Sequence, residues 1–348
     1  MVSRSGFGGA DMDMPGGGKR SGRAGARGAG LALLAAGLGV LGACLAAFAA
    51  AEPPPAAPGE TVLWAADRDA SRVYGLDADL YLTRRLPVDW PLDVEPAGDG
   101  GLWVLRAETG SAASTQRLDR FDAAGALVTE LWIERAADLD VLAGGEQALV
   151  VEVRAGALPR LVRVRTEGSL FPLIERDGLA CVSGERESAV LGTRSGEVLR
   201  VHAITGGVLA SANLGGHLAD LAAGPAPGMV WALDDSGPGR ILLLAADLTV
   251  RWSAPLPRPA RHLAPVRGEE RVWVANTEEP CVVRFGPGGA VELDRCGLPL
   301  PGLDRALAWR GGVLVTAVGA ILRLDQGGNL RPGQGGFDFV SDLAPTAR

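Results

Sequence analysis

One short pattern recurs along this chain at a near-constant interval, and it limits the fold more than any other feature. Apolar runs rich in β-branched residues and tryptophan open near Val62, Leu102, Leu149, Ala189, Val230, Val272 and Val313. Taking Trp64, Trp103, Val150, Val190, Trp231, Trp273 and Leu314 as equivalent gives spacings of 39, 47, 40, 41, 42 and 41 residues. The long interval holds an extra Ser-, Ala- and Gly-rich loop at 109–115. Four of the eight tryptophans stand in one slot, so the period marks a structural unit that stacks on copies of itself.

Each run is followed by a polar loop and a stretch in which apolar residues alternate with Arg or Asp, as in Arg117-Leu118-Asp119-Arg120-Phe121 and Val198-Leu199-Arg200-Val201. A period of two marks a strand with one face buried. Tight turns such as Thr205-Gly206-Gly207 lead to a further strand, with Gly supplying the positive φ of a hairpin. Another short run precedes each tryptophan slot, for example Leu92-Asp93-Val94 and Leu139-Asp140-Val141. Four strands in about 41 residues is the arithmetic of a β-propeller blade. The first unit lacks its first strand, and residues 339–345 supply a spare one. The sequence therefore predicts an all-β, seven-bladed β-propeller over 61–348, with six or eight blades as alternatives. The C-terminal strand should close it against the first blade and remove an exposed edge. A pair of β-sandwiches competes but does not explain the constant period.

The N-terminal residues differ from the rest. Residues 1–28 form a Gly-rich leader with Lys19, Arg20, Arg23 and Arg27, expected to be disordered. Residues 29–51 are apolar and long enough to span a bilayer, and 52–60 form a Pro-rich linker. Basic charge, apolar block and small residues in that order are an export signal. An uncleaved anchor, a cleaved signal peptide and a lipoprotein all fit; in the last, Cys44 of Leu41-Gly42-Ala43-Cys44 would carry the lipid. Each places the folded part outside the cytoplasm, in the cell envelope, anchored at the inner membrane, periplasmic or secreted.

Composition narrows the chemistry. Hydrophobic residues make up 47% of the chain, enough for a core, and the pI near 5.2 argues against a nucleic-acid partner. Lys19 is the only lysine, which excludes a catalytic lysine from the folded part. Beyond Cys44, Cys281 and Cys296 flank the turn Gly286-Pro287-Gly288-Gly289 and are placed to pair as a disulfide, while Cys181 reads as a core thiol. The third-strand arginines Arg120, Arg163, Arg200, Arg284 and Arg323 read as solvated faces. So do the acidic loops Asp67/Asp69, Asp234/Asp235 and Glu278/Glu279.

The string from Trp64 to Tyr74, Trp-Ala-Ala-Asp-Arg-Asp-Ala-Ser-Arg-Val-Tyr, resembles the NHL- and YVTN-type propeller repeats. The turn at Ala203–Leu209 is similar to that of quinoprotein repeats. The resemblance spans nearly all of 60–346 but concerns the repeat unit, so it implies the fold and leaves activity open. Asp93, Asp140, Asp220, Asp304 and Asp342 fall at similar places in first strands, beside the expected axis. Such a ring could hold Ca²⁺, a hard cation that takes several oxygen ligands, as in the lactonase-type propellers whose fold this chain resembles. The alternative role is bonding to backbone amides between blades, with no cofactor. His202, His217 and His262 lie in different blades without metal-ligand spacing, and no nucleophile motif is present. The expectation is a non-catalytic envelope module offering a rim to a protein, peptide or glycan, held to the membrane by its N-terminal segment. A lactonase-like hydrolase or lyase with a channel cation is the alternative.

Overall fold

The computed structural model describes residues 60–108, 115–142, 144–276, 280–298, 303 and 305–346. All belong to one compact unit, Leu45–Arg348. The leader, Cys44, Asp304 and the pair Glu278/Glu279 lie outside the described residues.

Among the described residues the unit is almost wholly β, with one 3-10 turn at Pro287–Gly289. The strands form six antiparallel sheets, five of four strands and one of six. One blade shows the plan: Pro91–Pro96, Leu102–Ala107, Gln116–Phe121 and Leu127–Ile133 pair in sequence order. The second strand carries the apolar run because both its faces are covered by neighbouring sheets. Leu102, Trp103, Val104 and Leu105 are all buried. The outermost strands meet solvent and alternate instead, as in Val208–Asn213. Exposure along the blade thus explains why the same chain reads as continuous apolar in one strand and period-two in another.

The tryptophan slot fills the space between blades. Trp103 packs on Leu139, Val150 and Val162 of the following sheet, and its Nε1 donates to the Gly145 carbonyl at 3.2 Å. Trp103, Trp231 and Trp273 are fully buried, and removing such a side chain costs about 3–5 kcal/mol. In the third unit the slot belongs to Leu149 rather than Val150. Leu149 pairs with Arg163 as Trp103 pairs with Arg120. The Thr205-Gly206-Gly207 turn packs tightly on the preceding blade. A Cβ on Gly206, at φ +70°, would sit 2.0 Å from the Leu173 carbonyl oxygen.

The propeller has six blades, the alternative to the expected seven. The last repeat and the closing blade share one six-stranded sheet. The strand Gly312–Leu324 pairs with the first half of the 16-residue strand Leu330–Pro345. The second half of that strand pairs with Leu63–Asp67, from Asp67 opposite Val340 to Leu63 opposite Pro345. The C-terminal strand therefore does close on the first unit, and by running on without a break it merges two repeats.

Two expectations about polar residues are corrected. Arg120, Arg163 and Arg200 are buried rather than solvated. Arg120 lies over Trp103 and Arg163 over Phe171 of the same sheet, and Arg200 reaches the Gly228 carbonyl of the next blade. Asp67 and Asp234 are also buried. Asp67 accepts the amides of Asp338, Phe339 and Ala70, and Asp234 those of His217 and Ser236. Cys281 and Cys296 form a disulfide, with Cα atoms 4.1 Å apart, and Cys181 is a free, buried thiol.

Candidate functional site: the axial channel

The six sheets present seven inner strands to the axis, because the six-stranded sheet contributes two. These are Pro91–Pro96, Ala136–Val141, Leu179–Gly184, Leu218–Ala223, His262–Pro265, Ala306–Trp309 and the C-terminal half of Leu330–Pro345. They surround a cavity of about 950 Å³.

Register places one residue of each strand in a common layer. Val94, Leu139, Val182, Leu221, Leu263, Ala306 and Leu343 occupy the same pairing position against their second strands. The residues just before them are Asp93, Asp138, Cys181, Asp220, His262, Arg305 and Asp342. The layer thus holds four carboxyls, one arginine, one imidazole and one thiol.

Three of the carboxylates tie one inner strand to the next. Asp342 accepts the Val94 amide at 3.1 Å, Asp138 that of Val182 at 2.8 Å, and Asp220 that of Leu263 at 2.7 Å. A neighbouring layer repeats the device once, with Asp140 accepting the Gly184 amide at 2.8 Å. Inner strands of adjacent blades do not share a ladder, so a carboxylate supplies the bond that the amide would otherwise lack.

Arg305 is the cation of the layer. Its Nε lies 3.5 Å from Asp342 Oδ1, and its Nη1 lies 2.9 Å from His262 Nδ1. A guanidinium only donates, so His262 Nδ1 accepts and Nε2 carries the imidazole proton. Burial, then Arg305 and Arg261, hold His262 well below the usual imidazole range, and the ring is neutral. Burial works against the charge on Arg305, but Asp342, Asp93, Asp220 and Asp138 outweigh it and raise its pKa.

The carboxyls respond in the opposite sense. Burial, followed by the Asp342 carboxylate, pushes Asp93 well above the carboxylate range. The side chains of Asp93 and Asp342 act directly on each other, raising Asp93 and lowering Asp342, as two carboxyls that compete for one proton do. Burial raises Asp342 too, with Arg305 opposing. Asp138 is pushed well up by burial, then by Asp93 and Asp220. Burial brings Asp220 to about 6. The Cys181 thiol is pushed well up by burial and by Asp138 and Asp220, so it is no nucleophile at neutral pH.

Of the expected cation positions, Asp93, Asp220 and Asp342 are brought together in this layer. Asp140 stands in the neighbouring layer, on backbone amides, and Asp304 is outside the described residues. Asp138, Cys181, His262 and Arg305 complete the layer and were not among the expected cation positions. Among the described residues no three His, Cys, Asp or Glu side chains converge as a metal-ligand set. The channel can hold protons at graded affinities and offers an excess of carboxyls. Its mouth is formed by the turns that carry Glu185, Arg186, Glu187, Arg267 and the segment Pro225-Ala226-Pro227.

No protein-family model matches the chain, and no curated protein does. Solved structures match in fold. A functionally unknown protein from Desulfotomaculum acetoxidans DSM 771 is similar at a TM-score of 0.65 and 13% identity, over 82% of this chain and 99% of that one. BamB from Moraxella catarrhalis is similar at a TM-score of 0.53 and 14% identity, over 80% of this chain and 84% of that one. At such identities the likeness is one of architecture, the β-propeller.

Proposed function

We propose that this chain is a non-catalytic binding or scaffold module of the cell envelope, exported and held at the membrane by its N-terminal segment. It offers one propeller face to a protein, peptide or glycan. The observation that carries the reading is the state of the axial carboxylates. Asp138, Asp220 and Asp342 each bind an amide of the next inner strand, and Arg305 supplies the one cation of the layer they share. The polar groups at the axis fasten blades together, which leaves recognition to the rim.

The surface offered is the channel mouth, where Arg186 and Arg267 are exposed. Photo-crosslinking residues placed at Arg186 and Arg267 in living cells, with Arg194 on another turn as control, test this. One discrete adduct from the mouth positions alone supports the reading, when protease reaches the folded part only from outside the cytoplasm. Adducts from Arg194 alone would move the surface elsewhere. Stoichiometric divalent metal in the purified protein, with lactone hydrolysis that needs it, would replace this reading with the enzyme.

A further inference from the structure

Arg120, Arg163 and Arg200 occupy one position in three successive blades, opposite Trp103, Leu149 and Val190. Their exposures are 1%, 3% and 7%. A guanidinium so buried requires an acceptor or counter-ion. Arg120 has the Asp99 carboxylate and the Phe121 carbonyl. Arg200 has the Glu185 carboxylate, the Ser188 hydroxyl and the Gly228 carbonyl. Arg163 has neither an ion pair nor a hydrogen bond among the described residues; the Nε atoms of all three arginines are buried without a partner, so the difference lies in the missing acid.

The turn between the first two strands explains the difference. Leu142 stands where Ala97 and Glu185 open that turn, and Gly144 stands where Asp99 follows. The third blade therefore lacks an acid at both places that serve the sister arginines. Gln147, in the position of Ser188, has a buried Oε1 that is likewise unpartnered and makes no bond to Arg163. Arg165 lies two residues on along the same strand face and is 45% exposed. The two guanidiniums share the Phe171 ring, at 4.9 and 4.8 Å from its centroid. Burial and then Arg165 lower the pKa of Arg163; Arg165 has an acid of its own in Glu167, 3.8 Å away, and Arg163 has none among the described residues.

We infer that Arg163, with Arg165 at its entrance, binds a small oxyanion of phosphate or carboxylate type, which takes the place of the acid that the sister arginines own. The planar guanidinium matches the two oxygens of such a group. The nearly complete cover over Arg163 limits the ligand to a small one.

Thermal unfolding of the full-length chain at constant ionic strength, in chloride, acetate or phosphate, tests the site. Millimolar phosphate or acetate is expected to raise Tm by about 2–4 °C over chloride, and whichever of the two acts identifies the source of the oxyanion. Arg163→Met should lose that response. Leu142→Glu, which restores the acid seen at Glu185, should melt higher than the wild type in chloride and also lose the response. Equal melting of the wild type in all three salts overturns the inference, as does a shift that persists in both variants. Should Arg163→Met fail to fold, equilibrium dialysis of the wild type against labelled phosphate and acetate decides: one anion per chain supports the site, and none overturns it.

Discussion

Nη1 of Arg305 lies 2.9 Å from Nδ1 of His262, so the one cation of the axial layer leans on a neutral imidazole while four carboxyls face it. The imidazole orients the guanidinium without competing for its charge. Arg305→Met should therefore leave the carboxyls of Asp93, Asp138, Asp220 and Asp342 without their counter-charge. We expect a loss of about 3–5 kcal/mol at pH 7, the usual result of breaking a buried pair from one side. At pH 5 the loss should shrink, because the carboxyls then take up protons. Urea unfolding at the two pH values measures both.

The whole propeller should be more stable at pH 5 than at pH 7. Asp220, at about 6 when folded against 3.8 when free, holds a proton that the unfolded chain has released. Its contribution is complete below about 3.8 and is lost as pH rises through 6. Asp93, Asp138 and Asp342 are shifted in the same direction. His262 opposes them: its folded pKa is depressed, so the unfolded chain takes up the proton as pH falls below 6.5. Four carboxyls outweigh one imidazole. Asp220→Asn should reduce the gain between pH 7 and pH 5 by about 1 kcal/mol, read from chemical unfolding across that range.

Ring closure rests on Asp67 as much as on the ladder beside it. Its carboxylate accepts two amides of the closing strand and one of its own turn. Asp67→Ala should cost about 2–4 kcal/mol, since three amides lose their acceptor. Deletion of 337–348 removes the strand itself and should give aggregation or no cooperative transition. A truncated chain that melts like the parent would show that closure contributes nothing.

The Cys281–Cys296 bridge closes a 15-residue segment. Replacing both cysteines with alanine should lower stability by about 3 kcal/mol, and dithiothreitol should do the same to the wild type and nothing to the double variant.

Most of the architecture could be read before any coordinates, because a fixed period and a change in alternation between inner and outer strands are both written in single residues. The spare strand at 339–345 was legible for the same reason. Blade number was not, since whether Leu330–Pro345 breaks or runs on depends on pairing with two partners. The axial layer was legible only in part. The triplets Leu92-Asp93-Val94 and Leu139-Asp140-Val141 look alike, yet register makes Asp138, not Asp140, the counterpart of Asp93. The first strands carry an irregularity near that residue in several blades, and a bulge shifts alignment without a mark in composition. Arg305 was missed because a search for like residues passes over the one position where a ring of acids is answered by its opposite. The buried third-strand arginines were misread because alternation shows which residues share a face but not whether a neighbouring blade covers it.

The strand Leu330–Pro345 also sets an order in time. The first unit has its second, third and fourth strands ahead of every other blade, but its innermost strand, in Leu330–Pro345, follows all of them. Until then Leu63–Asp67 keeps one edge unpaired, and Asp67 lacks two of its three amides. Synthesis from the N-terminus can complete the middle blades one after another, whereas the first must wait for Leu330–Pro345. A nascent chain therefore carries an open edge until Leu330–Pro345 has been made, and that 16-residue strand acts as the step that commits it to the folded ring.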